Sequence, residues 1–144
     1  MASSATTMAQ EVADAVTKLQ TERTGHAPGT VTVVLSEDTL VVTLNNALSP
    51  AEIAMSQTED GAKFVREFHQ RLFDCSLDDL RKAINRITGI PIREAAVEVE
   101  TTSGAVIHAF TSGTMVQVFR LSGRISPKTW NSSETRDDLV PITK

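Results

Sequence analysis

From Met8 onward the chain alternates between two periods. Met8, Val12, Ala15, Val16 and Leu19 recur at steps of three and four, with Gln10, Glu11, Asp14, Lys18 and Gln20 mostly off that stripe. This spacing predicts an amphipathic helix of about four turns with one apolar side turned to a core. Gly25 is placed to stop it, and Pro28 and Gly29 keep it from resuming. The period then falls to two. Val31, Val33 and Leu35 alternate with Thr30, Thr32 and Val34, and Leu40, Val42 and Leu44 repeat the pattern beyond the polar residues 36–39. Two β-branched runs around a short polar turn predict a β-hairpin.

Helical spacing returns at Leu48-Ser49-Pro50-Ala51-Glu52. Ser49 is a capping residue, Pro50 suits the first helical position, Glu52 completes a capping box, and Leu48 and Ile53 suit the accompanying hydrophobic staple. The pattern runs to Thr88, with an interruption expected at residues 59–61. Phe64, Val65, Phe68 and Leu72 form one stripe, and Leu77, Leu80, Ile84 and Ile87 form another. At about 100° per residue the two are out of phase by roughly a third of a turn. Either the helix breaks near Cys75, with Ser76 capping a new one, or one long helix feeds two surfaces. Gly89, Ile90 and Pro91 end it.

Period two returns in Ile92, Ala95, Val97 and Val99, then in residues 105–110 (AVIHAF) and 115–121 (MVQVFRL), with turn-forming residues at 102–104 and 111–113. This predicts a three-stranded meander. The order α-ββ-α(α)-βββ predicts an α+β fold, an antiparallel sheet of about five strands with helices packed on one face. Residues 8–121 are expected as one domain between a disordered start, 1–7, and a mobile polar tail, 122–144.

Composition narrows the class. The 144 residues are 40% hydrophobic and 22% charged, enough for one modest core. A net charge of −4 argues against general affinity for nucleic acid, and the cluster Arg81, Lys82, Arg86 and Arg93 is explained by a helix C-terminus. No apolar run approaches the roughly 18–20 residues of a bilayer span, so direct membrane insertion is not expected. The N-terminal stretch lacks a basic start followed by an apolar segment, which favours a cytoplasmic location. A lone Cys75 excludes an intrachain disulfide and a CxxC metal site.

Candidate chemistry is sparse. Arg23, Thr24, Gly25 and His26, in the segment ERTGHAPG, offer backbone N–H groups and positive charge to an anion, although no phosphate-loop pattern is present. A helix C-cap leading into a strand accounts for the same residues. His26, His69 and His108 form no paired metal motif, and they read as surface or internally satisfied histidines. Cys75 lies beside Asp74, with Asp78 and Asp79 downstream, which opposes thiol activation, and it reads as a small semi-buried hydrophobe. Glu98 and Glu100 share a strand face but fall short of a calcium cage. No catalytic residue, metal site or cofactor is expected.

The ordered motifs resemble the MpsC-like family. They are Arg23-Thr24-Gly25 with Pro28, Leu48-Ser49-Pro50-Ala51-Glu52, Thr58 and Gly61, the helix from Val65 to Phe73, Ile87-Thr88-Gly89, and the strand MVQVFRL. The chain departs from the family pattern where Ala27 follows His26, and no catalytic residue carries over. The resemblance implies an accessory role beside a membrane cation or inorganic-carbon transport machinery. With the surplus apolar helix face, it leads to an expected non-enzymatic interaction module, a homo-oligomer such as a dimer, that docks on a transport subunit. The alternative is a small-molecule or anion-binding regulator using Arg23 to Gly29.

Overall fold

The computed structural model describes residues 6–99 and 113–132. Helix α1 spans Met8–Thr24, strands β1 and β2 span Thr30–Ser36 and Thr39–Asn45, and helices α2 and α3 span Pro50–Met55 and Glu59–Thr88. Strands β3, Ile92–Val99, and β4, Met115–Leu121, precede a short helix α4, Pro127–Asn131. The described strands form one antiparallel sheet in the order β1-β2-β4-β3. The fold is α+β, as the periodicity predicts.

The local signals act as their chemistry requires. Thr7, in the stretch expected to be disordered, caps α1 through a capping box with Gln10. Gly25 and Gly89 close α1 and α3 in the left-handed conformation, each at φ 78°. Ser49 and Glu52 form the expected capping box, with Pro50 at the start of α2. Leu48 is buried but Ile53 is exposed, so the expected staple leaves Ile53 uncovered. The hairpin pairs Ser36 with Thr39 across a two-residue turn in which Glu37 takes φ 57°.

Four expectations change. The helix interruption falls earlier than residues 59–61. Helix α2 ends at Met55, and Thr58 caps a new helix by accepting from the Gly61 N–H. Helix α3 then runs unbroken for 30 residues, which decides against a break at Cys75. Its buried residues are Ala62, Val65, His69, Phe73, Ser76, Leu80, Ala83, Ile84 and Ile87, a single stripe. The stripes looked out of phase because His69 and Ser76 are polar members of that line, while Phe64 and Phe68 are apolar and stand off it. Second, the described strands number four, and β3 pairs directly with β4. In a meander the outer two strands would run parallel, whereas these are antiparallel. The strand expected at 105–110 lies outside the described residues, as does Glu100 of the acidic pair. Third, the chain does not turn into a tail at residue 122. Ser126 caps α4, and Ile125 and Trp130 are buried in the core. Fourth, Cys75 is exposed, because Ser76 takes the inward position beside it.

The core lies between the sheet and the helices. Leu40, Val42 and Leu44 of β2 and Met115, Phe119 and Leu121 of β4 face Val12 and Val16 of α1 and Phe73, Leu80 and Ile84 of α3, all in one buried cluster. The Phe73 and Phe119 rings meet at 5.9 Å. Helix α1 lies against β1, α3 against β3, and the two helices pack on each other.

Candidate functional site

One part of this core is not apolar. The α1 row Met8, Val12 and Val16 continues at the same step of four to Gln20. His69 occupies an inward position of α3 between Val65 and Phe73. On β4, Gln117 alternates inward with Met115 and Phe119, opposite Val42 of β2 and Val97 of β3. In each element the spacing reserves the slot for an apolar side chain. The fold brings all three polar residues to one cavity between α1, α3 and β4, lined also by Arg23, Leu72, Ser76 and Leu80.

His69 is 1% exposed, and its Nε2 lies 2.7 Å from Glu52 Oε2 on α2. The other Glu52 oxygen accepts from the Ser49 backbone N–H and hydroxyl, so one carboxylate both caps α2 and ties it to α3. Burial acts to raise the Glu52 pKa. The Ser49 N–H, the His69 charge and hydrogen bond and the Ser49 hydroxyl outweigh it and hold the carboxyl below its ordinary value. The Phe68 ring sits edge-on to the imidazole at 5.3 Å. Among the described residues, three buried side-chain atoms have no protein partner: Gln20 Nε2, His69 Nδ1 and Gln117 Oε1. All three residues line the same cavity.

The loop proposed for an anion is held by bonds within the fold. Arg23 pairs with Asp79 at 2.7 Å. The Thr24 hydroxyl donates to Gln20 O or His26 O and accepts from the His26 N–H. The Gly25 N–H closes α1 on Thr21 O, and His26 Nε2 lies 3.0 Å from Asn46 O. Gly29 has a packing reason, since a Cβ there would meet the Asn46 side chain at 2.7 Å. Arg23 alone of the four lines the polar cavity, while Thr24, Gly25 and His26 do not. His108 lies outside the described residues. Among the described residues, no group of three or more His, Cys, Asp or Glu side chains is placed to hold a metal ion.

The residues that sequence reasoning missed were Gln20, Glu52 in its second role, and Gln117. Their signal was a polar residue interrupting an apolar period, visible in MVQVFRL and in the α1 row once the inward parity is known.

A second feature lies on the outside of the same helices. Phe64 is 56% exposed and Phe68 40%, and their rings are nearly parallel, with centroids 6.4 Å apart. Ile53 and Met55 of α2 are also exposed. Glycine at position 61 lets α2 and α3 meet closely, because a Cβ there would collide with the Met55 carbonyl. No helix among the described residues is long and apolar enough to cross a membrane.

An uncharacterized protein of Bacillus subtilis strain 168, YbcI, is 20% identical over 100 residues, covering 69% of this chain and 81% of that protein. No solved structure matches. Residues 4–113 match the family model described as the Na+-translocating membrane potential-generating system, MpsC, and the chain belongs to that family.

Proposed function

We propose that this chain is a non-enzymatic accessory module of a Na+-translocating membrane system, acting from the cytoplasmic side and self-associating through the outer face of α2 and α3. The observation that carries this reading is the stacked, exposed pair Phe64 and Phe68, with Ile53 and Met55 exposed on the adjoining helix. Large apolar side chains grouped on a surface mark interaction sites more often than singly scattered ones. The family description supplies the membrane system. Helix α3 supplies a rigid 30-residue platform, packed along its inner side, that holds the outer aromatic pair in place. A second copy of the chain is the expected occupant, since a face that meets itself across a two-fold axis is the commonest oligomer contact.

The test is a set of charge insertions read by light scattering on a sizing column. Phe64→Glu and Phe68→Glu are expected to give monomers with unchanged circular dichroism. Val34→Glu, at an exposed site on β1, is expected to leave the assembly intact. Equal masses for all three variants and the parent chain would overturn the reading.

A further inference from the structure

We infer that the cavity between α1, α3 and β4 is a binding site for one buried water molecule, held by Gln20, His69 and Gln117. Each of the three atoms Gln20 Nε2, His69 Nδ1 and Gln117 Oε1 is buried and lacks a protein partner. Buried polar atoms are seldom left unpaired in folded proteins, so three on residues that line one cavity call for a ligand that satisfies them. The cavity volume is about 10 Å³, room for about one water and too little for an organic ligand or an oxyanion.

The hydrogen-bond roles select the same ligand. Gln20 Nε2 is a donor and Gln117 Oε1 an acceptor. His69 Nε2 faces a carboxylate oxygen and carries its hydrogen, which leaves Nδ1 as an acceptor in the neutral ring and a donor in the charged one. Water accepts from Gln20, donates to Gln117, and either donates to or accepts from Nδ1. A metal cation would be repelled by the Gln20 donor, and an anion would meet the Gln117 oxygen, while the Arg23 guanidinium that also lines the cavity is already paired with Asp79. The three side chains come from three elements, so the water ties α1 and β4 to the His69–Glu52 pair and through it to α2. That connection explains why the polar residues stand where the spacing reserves apolar ones.

The first experiment is a high-resolution crystal structure of the full chain. The expected result is one isolated density peak within hydrogen-bond distance of all three atoms. A dry cavity, a direct bond between Gln20 and Gln117 that closes it, or density larger than one water would each overturn the assignment. The second is water-to-protein magnetisation transfer by NMR on the labelled chain. The expected result is a long-lived water signal at the His69 ring and the Gln117 amide. That signal should vanish in the Gln20→Leu/Gln117→Leu double variant, whose two amides are replaced by apolar groups. No such signal in the parent chain, or the same signal in the double variant, would overturn the inference.

Discussion

At the scale of single residues, the chain concentrates its polar interior on His69. Removing the ring leaves the largely buried Glu52 carboxylate without its partner and empties space in the core. His69→Ala is therefore expected to lose about 1–3 kcal/mol of stability in urea unfolding. Arg23→Met, which removes a half-exposed ion pair with Asp79, should cost no more than about 0.5 kcal/mol. Equal costs for the two would mean that burial does not separate them. Glu52 also gives the protein an acid limb. Its pKa is held below the ordinary 4.5, so the unfolded chain takes up the proton first. The stabilisation is complete above that value and is lost as pH falls through the lowered folded value. Asp38 adds to the same limb, since the Thr39 hydroxyl and then Arg120 lower its pKa against burial. Glu52→Gln is expected to flatten the fall of the urea midpoint below pH 4.5, and an unchanged slope would remove Glu52 from that role. The sequence pointed to His69 only as one of three unpaired histidines. Its importance depends on Glu52, 17 residues away, and on a cavity shared with Gln117 of β4, which no local spacing reveals.

At the scale of elements, the signals at the start of α2 and at the ends of α1 and α3 were legible because capping is local chemistry. Ser49, Gly25 and Gly89 each do what their type and position predict, whereas the Thr7, Thr58 and Ser126 caps went unread. The continuity of α3 was not legible, because apolar residues off the buried line and polar residues on it give a false change of phase. The α2–α3 junction shows how a single glycine is fixed by packing. Gly61 lies inside a helix where alanine would otherwise be favoured by roughly 1 kcal/mol. Here the Met55 carbonyl fills the space of a Cβ, so the preference reverses. Gly61→Ala is expected to destabilise the chain by about 1–3 kcal/mol, with early proteolysis between α2 and α3. A neutral or stabilising effect would show that the junction yields easily. The direct pairing of β3 with β4 was also hidden, since strand pairing is a contact between residues distant in sequence that period-two spacing does not specify.

At the scale of the whole molecule, the sheet and the inner sides of α1 and α3 bury one another, while α3 keeps Phe64 and Phe68, and α2 keeps Ile53 and Met55, in solvent. The sequence showed the surplus of apolar residues on α3 but not which of them were surplus, because that depends on how the helix is rotated against the sheet. The rotation places His69 and Ser76 inward and Phe64 and Phe68 outward, which makes the polar cavity and the exposed face two results of one packing choice. The claim that depends most on that choice is self-association. Sedimentation equilibrium of the full chain over a dilution series tests it directly. A mass of twice 15.6 kDa that falls toward 15.6 kDa on dilution is predicted, and a mass of 15.6 kDa at every concentration would contradict it.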